Sequence, residues 1–174
     1  MERLWAPWRM EFILNEKPSC CIFCLGEMQG EESEKERLVL YRDTLSFVMM
    51  NRYPYTTGHL LVSPYRHVGS LQDLTAEEML QLFENVRRAC EVTTKALSPQ
   101  GFNIGINLGK VAGAGVDDHL HIHIVPRWVG DANFMTVVAD VRVIPEGLLA
   151  TYEKFHPFFR EVRATAETQR NKGT

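Results

Sequence analysis

The sequence predicts a single domain that mixes β-strands with two helices, and three observations carry that expectation. Residues 119–123 read His-Leu-His-Ile-His inside a β-favouring run continued by Ile124, Val125 and Pro126. Phe102, Ile104, Ile106 and Leu108 alternate with Asn103, Gly105 and Asn107, the period of a strand. Thr75, Ala76, Glu77 and Glu78 form a capping box ahead of a long apolar stripe at helical spacing. A chain of 174 residues, 45% of them hydrophobic, can bury one good core, or a core plus a dimer face.

The elements follow in order. The arm 1–18 carries Leu4, Trp5, Pro7, Trp8, Met10, Phe12 and Ile13, too much aromatic area to leave in water, so it is expected to pack on the body or on a partner subunit. Residues 25–36 are acidic and poor in apolar side chains, a solvated loop to which no chemistry is assigned. Residues 37–41 and 45–50 flank a turn at Arg42-Asp43-Thr44 and read as a hairpin. A third strand, 59–63, follows a loop containing Pro54 and Gly58. In the long helix, Met79, Leu82, Phe83, Val86, Ala89, Cys90 and Leu97 are expected to face the core. The strand 102–108 has a second face of small and polar residues, which lets a ligand approach closely. Residues 109–118, with Gly113 and Gly115, form a flexible loop leading into the histidine run. Beyond Pro126, 134–139 and 141–144 read as strands. Leu148, Tyr152, Phe155, Phe159 and Val162 read as a C-terminal helix interrupted near Pro157, with 165–174 frayed.

Composition excludes several classes of function. A formal net charge of −3 gives no basic stripe for nucleic acid, and no run approaches the roughly 18 apolar residues of a membrane span. Met1-Glu2-Arg3 is not followed by a signal-like apolar stretch, so the four cysteines are expected in a reducing cytoplasm, without disulfides.

In an extended strand side chains alternate between faces, so His119, His121 and His123 share one face while Leu120, Ile122 and Ile124 turn to the core. Two residues advance roughly 6.5 to 7 Å, which sets His119 and His123 about 13 Å apart along the strand. One small ion cannot engage all three, and the imidazoles must divide their work. Cys21-Ile22-Phe23-Cys24 has the two-residue gap by which paired thiolates bind one zinc. His67 and His119 would complete a tetrahedral Cys2His2 set, closed and therefore structural; Cys20 is an alternative ligand of less usual spacing. A redox disulfide is the rival reading, but the flanks lack the strand-then-helix context of a thioredoxin motif.

Residues 119–125, His-Leu-His-Ile-His-Ile-Val, resemble the signature of the histidine triad superfamily, and the likeness extends along nearly the whole chain. Residues 51–59, Asn-Arg-Tyr-Pro-Tyr-Thr-Thr-Gly-His, resemble that family's ribose-side loop, and Cys21, Cys24, His67 and His119 fall on the zinc positions of its zinc-bearing members. Residues 4–10 together with Pro126-Arg127-Trp128 and 130–134 look most like the bacterial branch that includes diadenosine tetraphosphate phosphorylases. The resemblance implies an α+β fold with a five-stranded antiparallel sheet, a long helix and a homodimer, and nucleotidyl transfer through His121. One departure is that Gly115-Val116-Asp117-Asp118 stands where many hydrolase members carry Gln or Ser ahead of the triad.

Displacement at an α-phosphate needs a nucleophile that is uncharged near neutral pH, and an imidazole with a pKa of about 6.5 qualifies. His121 takes that role, giving a covalent nucleotidyl-histidine that a second acceptor resolves. His123 is assigned proton donation to phosphate and leaving group, with His59 supporting it. Gly113, Ala114 and Gly115 permit backbone N–H groups to converge on an anion. By analogy with the family, Asn107 serves the phosphates and Asn51 a ribose hydroxyl, while Phe47, Phe23 and Tyr53 are candidates for the base pocket. Asp117 and Asp118 would repel phosphate and are expected to point away or to orient a neighbour. The expected ligands are a purine nucleotide or dinucleoside polyphosphate and orthophosphate, with no cofactor in the chemistry itself. Phosphorolysis of diadenosine tetraphosphate is the favoured activity. Hydrolysis of dinucleoside polyphosphates or adenosine phosphoramidates, a purine-nucleotide-binding module without turnover, and a zinc-based structural protein are the competing readings.

Overall fold

The computed structural model describes residues 21–26, 30–131, 144 and 146–172. The aromatic arm, Cys20 and the strand expected at 134–139 lie outside the described residues, as does 141–144 except for Ile144.

Among the described residues five strands form one antiparallel sheet: β1 (Val39–Arg42), β2 (Ser46–Met50), β3 (Leu60–Pro64), β4 (Gly101–Ile106) and β5 (Ile122–Arg127), in the order β1-β2-β3-β5-β4. The short helix α1 (Glu31–Glu36) forms within the acidic stretch expected to be a loop. Its three glutamates in the first turn complement the helix dipole, which offsets the lack of any buried residue. Helices α2 (Ala76–Leu97) and α3 (Leu148–Lys172) cover one face of the sheet.

Helix α2 opens with the expected capping box, Thr75 accepting from the Glu78 amide and Glu78 accepting in return. The Glu78 carboxylate also takes both guanidinium arms of Arg66 at 2.6 and 2.7 Å, tying the helix start to the end of β3. That pairing holds Glu78 down to about 2. The buried stripe is Leu82, Val86, Ala89 and Val92, with Cys90 and Leu97 half-buried beside it. Met79 and Phe83, expected in the core, are 39% and 57% exposed. Each helical step turns about 100°, and once Leu82 and Val86 fix the inner face, Phe83 is carried off its edge.

Helix α3 runs unbroken through Pro157 and on to Lys172, past the point expected to fray. Pro157 lies on the exposed side, where water satisfies the carbonyl that loses its partner. Tyr152, Phe155 and Phe159 on the inner side anchor both halves in the core. The opposite face of the sheet carries a second cluster of Val39, Phe47, Met49 and Leu61, covered by Phe23 and Leu25.

One glycine governs the loop between β2 and β3. Gly58 has φ +76°, and a Cβ there would stand 2.4 Å from Leu97 Cδ1 and 3.2 Å from the Phe155 ring. Left-handed strain and overpacking add, so Gly58→Ala is expected to destabilise by about 2 to 4 kcal/mol. Denaturant titration checks this, and an unchanged midpoint contradicts it.

Candidate active site and metal centre

Strand β5 begins at Ile122, so only His123 of the triad lies within the paired strand, where it faces Leu61 on β3 and Gly105 on β4. His119 and His121 precede it in extended backbone held by other means: the Leu120 amide donates to Val68 O at 2.7 Å and Ser63 Oγ donates to Leu120 O at 2.9 Å. The alternation survives. Leu120, Ile122 and Ile124 enter the helix-side core, and His121 and His119 stand on the other face beneath Phe23. Gly69 allows the approach to this segment, because a Cβ there would lie 2.8 Å from Asp117 O.

Cys21, Cys24, His67 and His119 come together with one ligand atom from each within 4.8 Å of the others. Cys21 Sγ is 3.4 Å and Cys24 Sγ 3.7 Å from His119 Nδ1, and Cys24 Sγ is 3.3 Å from His67 Nδ1. A tetrahedral zinc, with bonds of about 2.3 Å to sulfur and 2.0 Å to nitrogen, demands S···N edges of about 3.5 Å. The four donors fit that ion. Their outer nitrogens are also oriented: His119 Nε2 donates to Pro64 O at 2.9 Å, which leaves the Nδ1 lone pair for metal, and His67 Nε2 lies 3.5 Å from Asp118 Oδ2. Asp118, expected to point away from phosphate or to orient a neighbour, faces His67.

The remaining imidazoles have tautomers that their neighbours dictate. His121 Nδ1 lies 2.9 Å from His119 O; a carbonyl only accepts, so Nδ1 carries the proton and Nε2 keeps its lone pair. The backbone N–H of Tyr55 donates to His59 Nδ1 at 3.1 Å, and Asn51 Nδ2 lies 3.3 Å from the same atom. Asn51 is itself oriented, since its Oδ1 accepts from the Tyr53 amide at 2.9 Å. His59 therefore bears its proton on Nε2 and donates to His123 Nδ1 at 3.0 Å. His123 in turn carries its proton on Nε2, a buried atom with no hydrogen-bond partner among the described residues. A donor left unpaired in the interior calls for an acceptor.

Burial disfavours the charged form of all these rings. It pushes His59 down to about 3, with the His123 and His121 charges adding, and His123 to about 4, with His121 adding. His121 is lowered by burial against the opposing pull of the His119 carbonyl. All are neutral at pH 7. Unfolded histidines titrate near 6.5, so the unfolded chain binds more protons below that value, and stability falls as pH drops from 6.5 toward 4. Urea midpoints at pH 7 and pH 5 are expected to differ less in His59→Gln than in the unaltered protein. An equal drop in both contradicts the assignment.

The other expected site residues are placed unevenly. Asn107 follows β4, and its Nδ2 is 4.0 Å from the position a Cβ on Gly113 would take. The Gly113 and Ala114 amides donate within their own turn, to Lys110 O at 3.0 Å and Gly109 O at 3.4 Å, rather than toward a shared anion; among the described residues no such bond engages Gly115. Phe23 and Phe47 are 1% and 0% exposed and belong to the core rather than to an open pocket, whereas Tyr53 is half-buried. Two aromatic contacts escaped the sequence. Tyr55 lies over His59 and His123, with centroids at 4.6 and 5.8 Å, and no spacing signals it. Phe23 stacks on His121, and its place between the two cysteines of the Cys-x-x-Cys pair was the available clue.

Comparison with known proteins places the whole chain in context. A family model described as the HIT domain matches residues 32–129. The chain is 40% identical over 157 residues to an AP-4-A phosphorylase of Mycobacterium tuberculosis, covering 87% of this chain and 80% of that protein. It is 41% identical over 113 residues to the asymmetrical bis(5'-nucleosyl)-tetraphosphatase of Schizosaccharomyces pombe, covering 65% of this chain and 62% of that one. A crystal structure of a zinc-bound histidine triad family protein from Mycobacterium smegmatis superposes with a TM-score of 0.59 at 26% identity, over 74% of this chain and 87% of that one. The sheet order and the sequence match agree, and the chain belongs to the HIT domain family.

Proposed function

We propose that this protein cleaves dinucleoside polyphosphates through a covalent adenylyl-His121, with orthophosphate as the acceptor. The observation that carries this reading is the pairing of complementary tautomers: a lone pair on His121 Nε2 beside an unpartnered proton on His123 Nε2, with ring centroids 4.9 Å apart. A nucleophile and a proton donor on one face are what displacement at phosphorus requires.

In the first step His121 Nε2 bonds to the α-phosphorus of diadenosine tetraphosphate and the bond to the bridging oxygen breaks. ATP departs, with the His123 N–H donating to the leaving oxygen. In the second step an orthophosphate oxygen attacks the same phosphorus, the P–N bond breaks, and ADP leaves. Asn107 and the Gly115 amide contribute phosphate contacts, supported by Gly113 and Ala114 shaping the turn. Asn51, whose amide already orients His59, offers its remaining N–H to a ribose hydroxyl. A zinc held by Cys21, Cys24, His67 and His119 has four protein ligands and supplies structure, without entering the chemistry.

The similarity to an AP-4-A phosphorylase supports the phosphorolytic outcome, and that to a tetraphosphatase supports the substrate class. Incubation with diadenosine tetraphosphate, with and without orthophosphate, separates the outcomes. Phosphate-dependent ADP plus ATP is expected; ATP plus AMP in its absence indicates hydrolysis, and binding without turnover overturns the reading. A homodimer belongs to the same proposal, since β4 is a sheet edge among the described residues, with Ile104 and Leu108 48% and 47% exposed. Sedimentation at the mass of one chain contradicts it. None of the described helices is long and apolar enough to cross a membrane, and a cysteine pair gathered with two histidines at a zinc-sized cluster fits a cytoplasmic setting.

A further inference from the structure

We infer that Phe23 is the positioning residue of His121, and that the metal clamp acts on catalysis through it; the inference rests on His121 being the nucleophile. Phe23 is 1% exposed, and its ring stacks on His121 with centroids 4.6 Å apart and planes 24° from parallel. The same ring meets His119 at 5.3 Å. One side chain thus touches both a metal ligand and the attacking group.

His121 needs such a support. Among the described residues one hydrogen bond, from Nδ1 to the His119 carbonyl, holds the ring, and the tilt of its plane is left to packing. The Nε2 lone pair lies in the ring plane, so the plane sets the direction of attack, and in-line displacement demands that direction. Phe23 fixes the plane from one side, and His123 meets the ring edge-on at 61°.

Phe23 is in turn held by its neighbours. The Cys24 amide closes a turn on Cys21 O at 3.1 Å, Arg37 Nη1 donates to Cys24 O at 3.3 Å, and both thiols converge on His119 and His67. A cation at that point would draw Cys21 and Cys24 onto the ligand His119, with Phe23 between them. Without it the segment keeps the Arg37 bond to Cys24 O, the thiol contacts and its apolar packing, and loses the tie that pulls both cysteines onto His119. A site closed to substrate therefore governs geometry two residues along the chain from its own ligand.

The test uses full-length protein with labelled histidines, loaded with zinc or stripped by chelation, alongside Phe23→Leu and Phe23→Met. Expected is a sharp His121 Nδ1–H resonance in loaded protein that broadens or vanishes on stripping and in both variants, while the variants retain one zinc per chain. The resonance of the His59–His123 pair should persist. In single turnover, adenylylation by Phe23→Leu should slow about 10- to 100-fold with AMP affinity unchanged. An unaltered His121 resonance and rate would overturn the inference, as would AMP affinity falling in step with rate, the mark of a base contact. If even the unaltered protein forms no adenylyl adduct, the functional proposal fails, and the resonance still decides whether Phe23 positions the ring.

Discussion

His121→Asn is expected to lose turnover of diadenosine tetraphosphate by at least about 10³-fold, the scale on which removing a nucleophile leaves only binding and electrostatic assistance. Asparagine is the informative replacement because its amide can still donate to the His119 carbonyl, so the shape of the site survives while the lone pair at Nε2 does not. AMP binding should remain within a few-fold, measured by calorimetry beside the rate. Loss of binding together with rate would show that His121 holds the nucleotide without attacking it. Normal turnover would remove it from the chemistry altogether.

Stripping the metal is expected to lower the thermal midpoint by about 7 to 20 °C. Structural zinc contributes about 10 to 16 kcal/mol in small peptide sites. A third of that, at about 2 to 4 °C per kcal/mol for a domain of this size, gives the expected shift. The four candidate ligands join three separate parts of the chain: the 21–24 turn, the segment after β3, and the run into β5. Cys24→Ser should reproduce most of the shift, because Cys24 Sγ approaches both His67 and His119. Calorimetry of loaded, stripped and Cys24→Ser protein with measured zinc content checks this. Identical midpoints would mean that apolar packing alone holds the face.

Much of this was legible in the residues, for physical reasons that differ from place to place. The histidine run announced its alternation because a period of two has one geometric meaning, and the apolar partners Leu120, Ile122 and Ile124 confirm the face in the core. The capping box was legible because both its hydrogen bonds are local. Met79 and Phe83 were misplaced because a helical stripe wider than the buried face cannot say which edge is left outside. Pro157 misled because its cost depends on whether water reaches the freed carbonyl, which only tertiary placement decides. The tautomers of His59 and His123 were beyond reach, since they depend on backbone amides brought in by the 51–59 loop. So was the turn at 109–115, where glycine content permits a cradle without dictating where its amides point.

The proposed turnover depends on a covalent bond between His121 and the α-phosphorus. Rapid mixing of unaltered protein with diadenosine tetraphosphate in the absence of orthophosphate, quenched at alkaline pH, followed by intact-mass and peptide analysis, tests it most directly. A mass gain of one adenylyl group, mapped to His121 and discharged as ADP on adding orthophosphate, is the expected result. Turnover that proceeds with no adduct at any time point, or an adduct mapped to another residue, would contradict it.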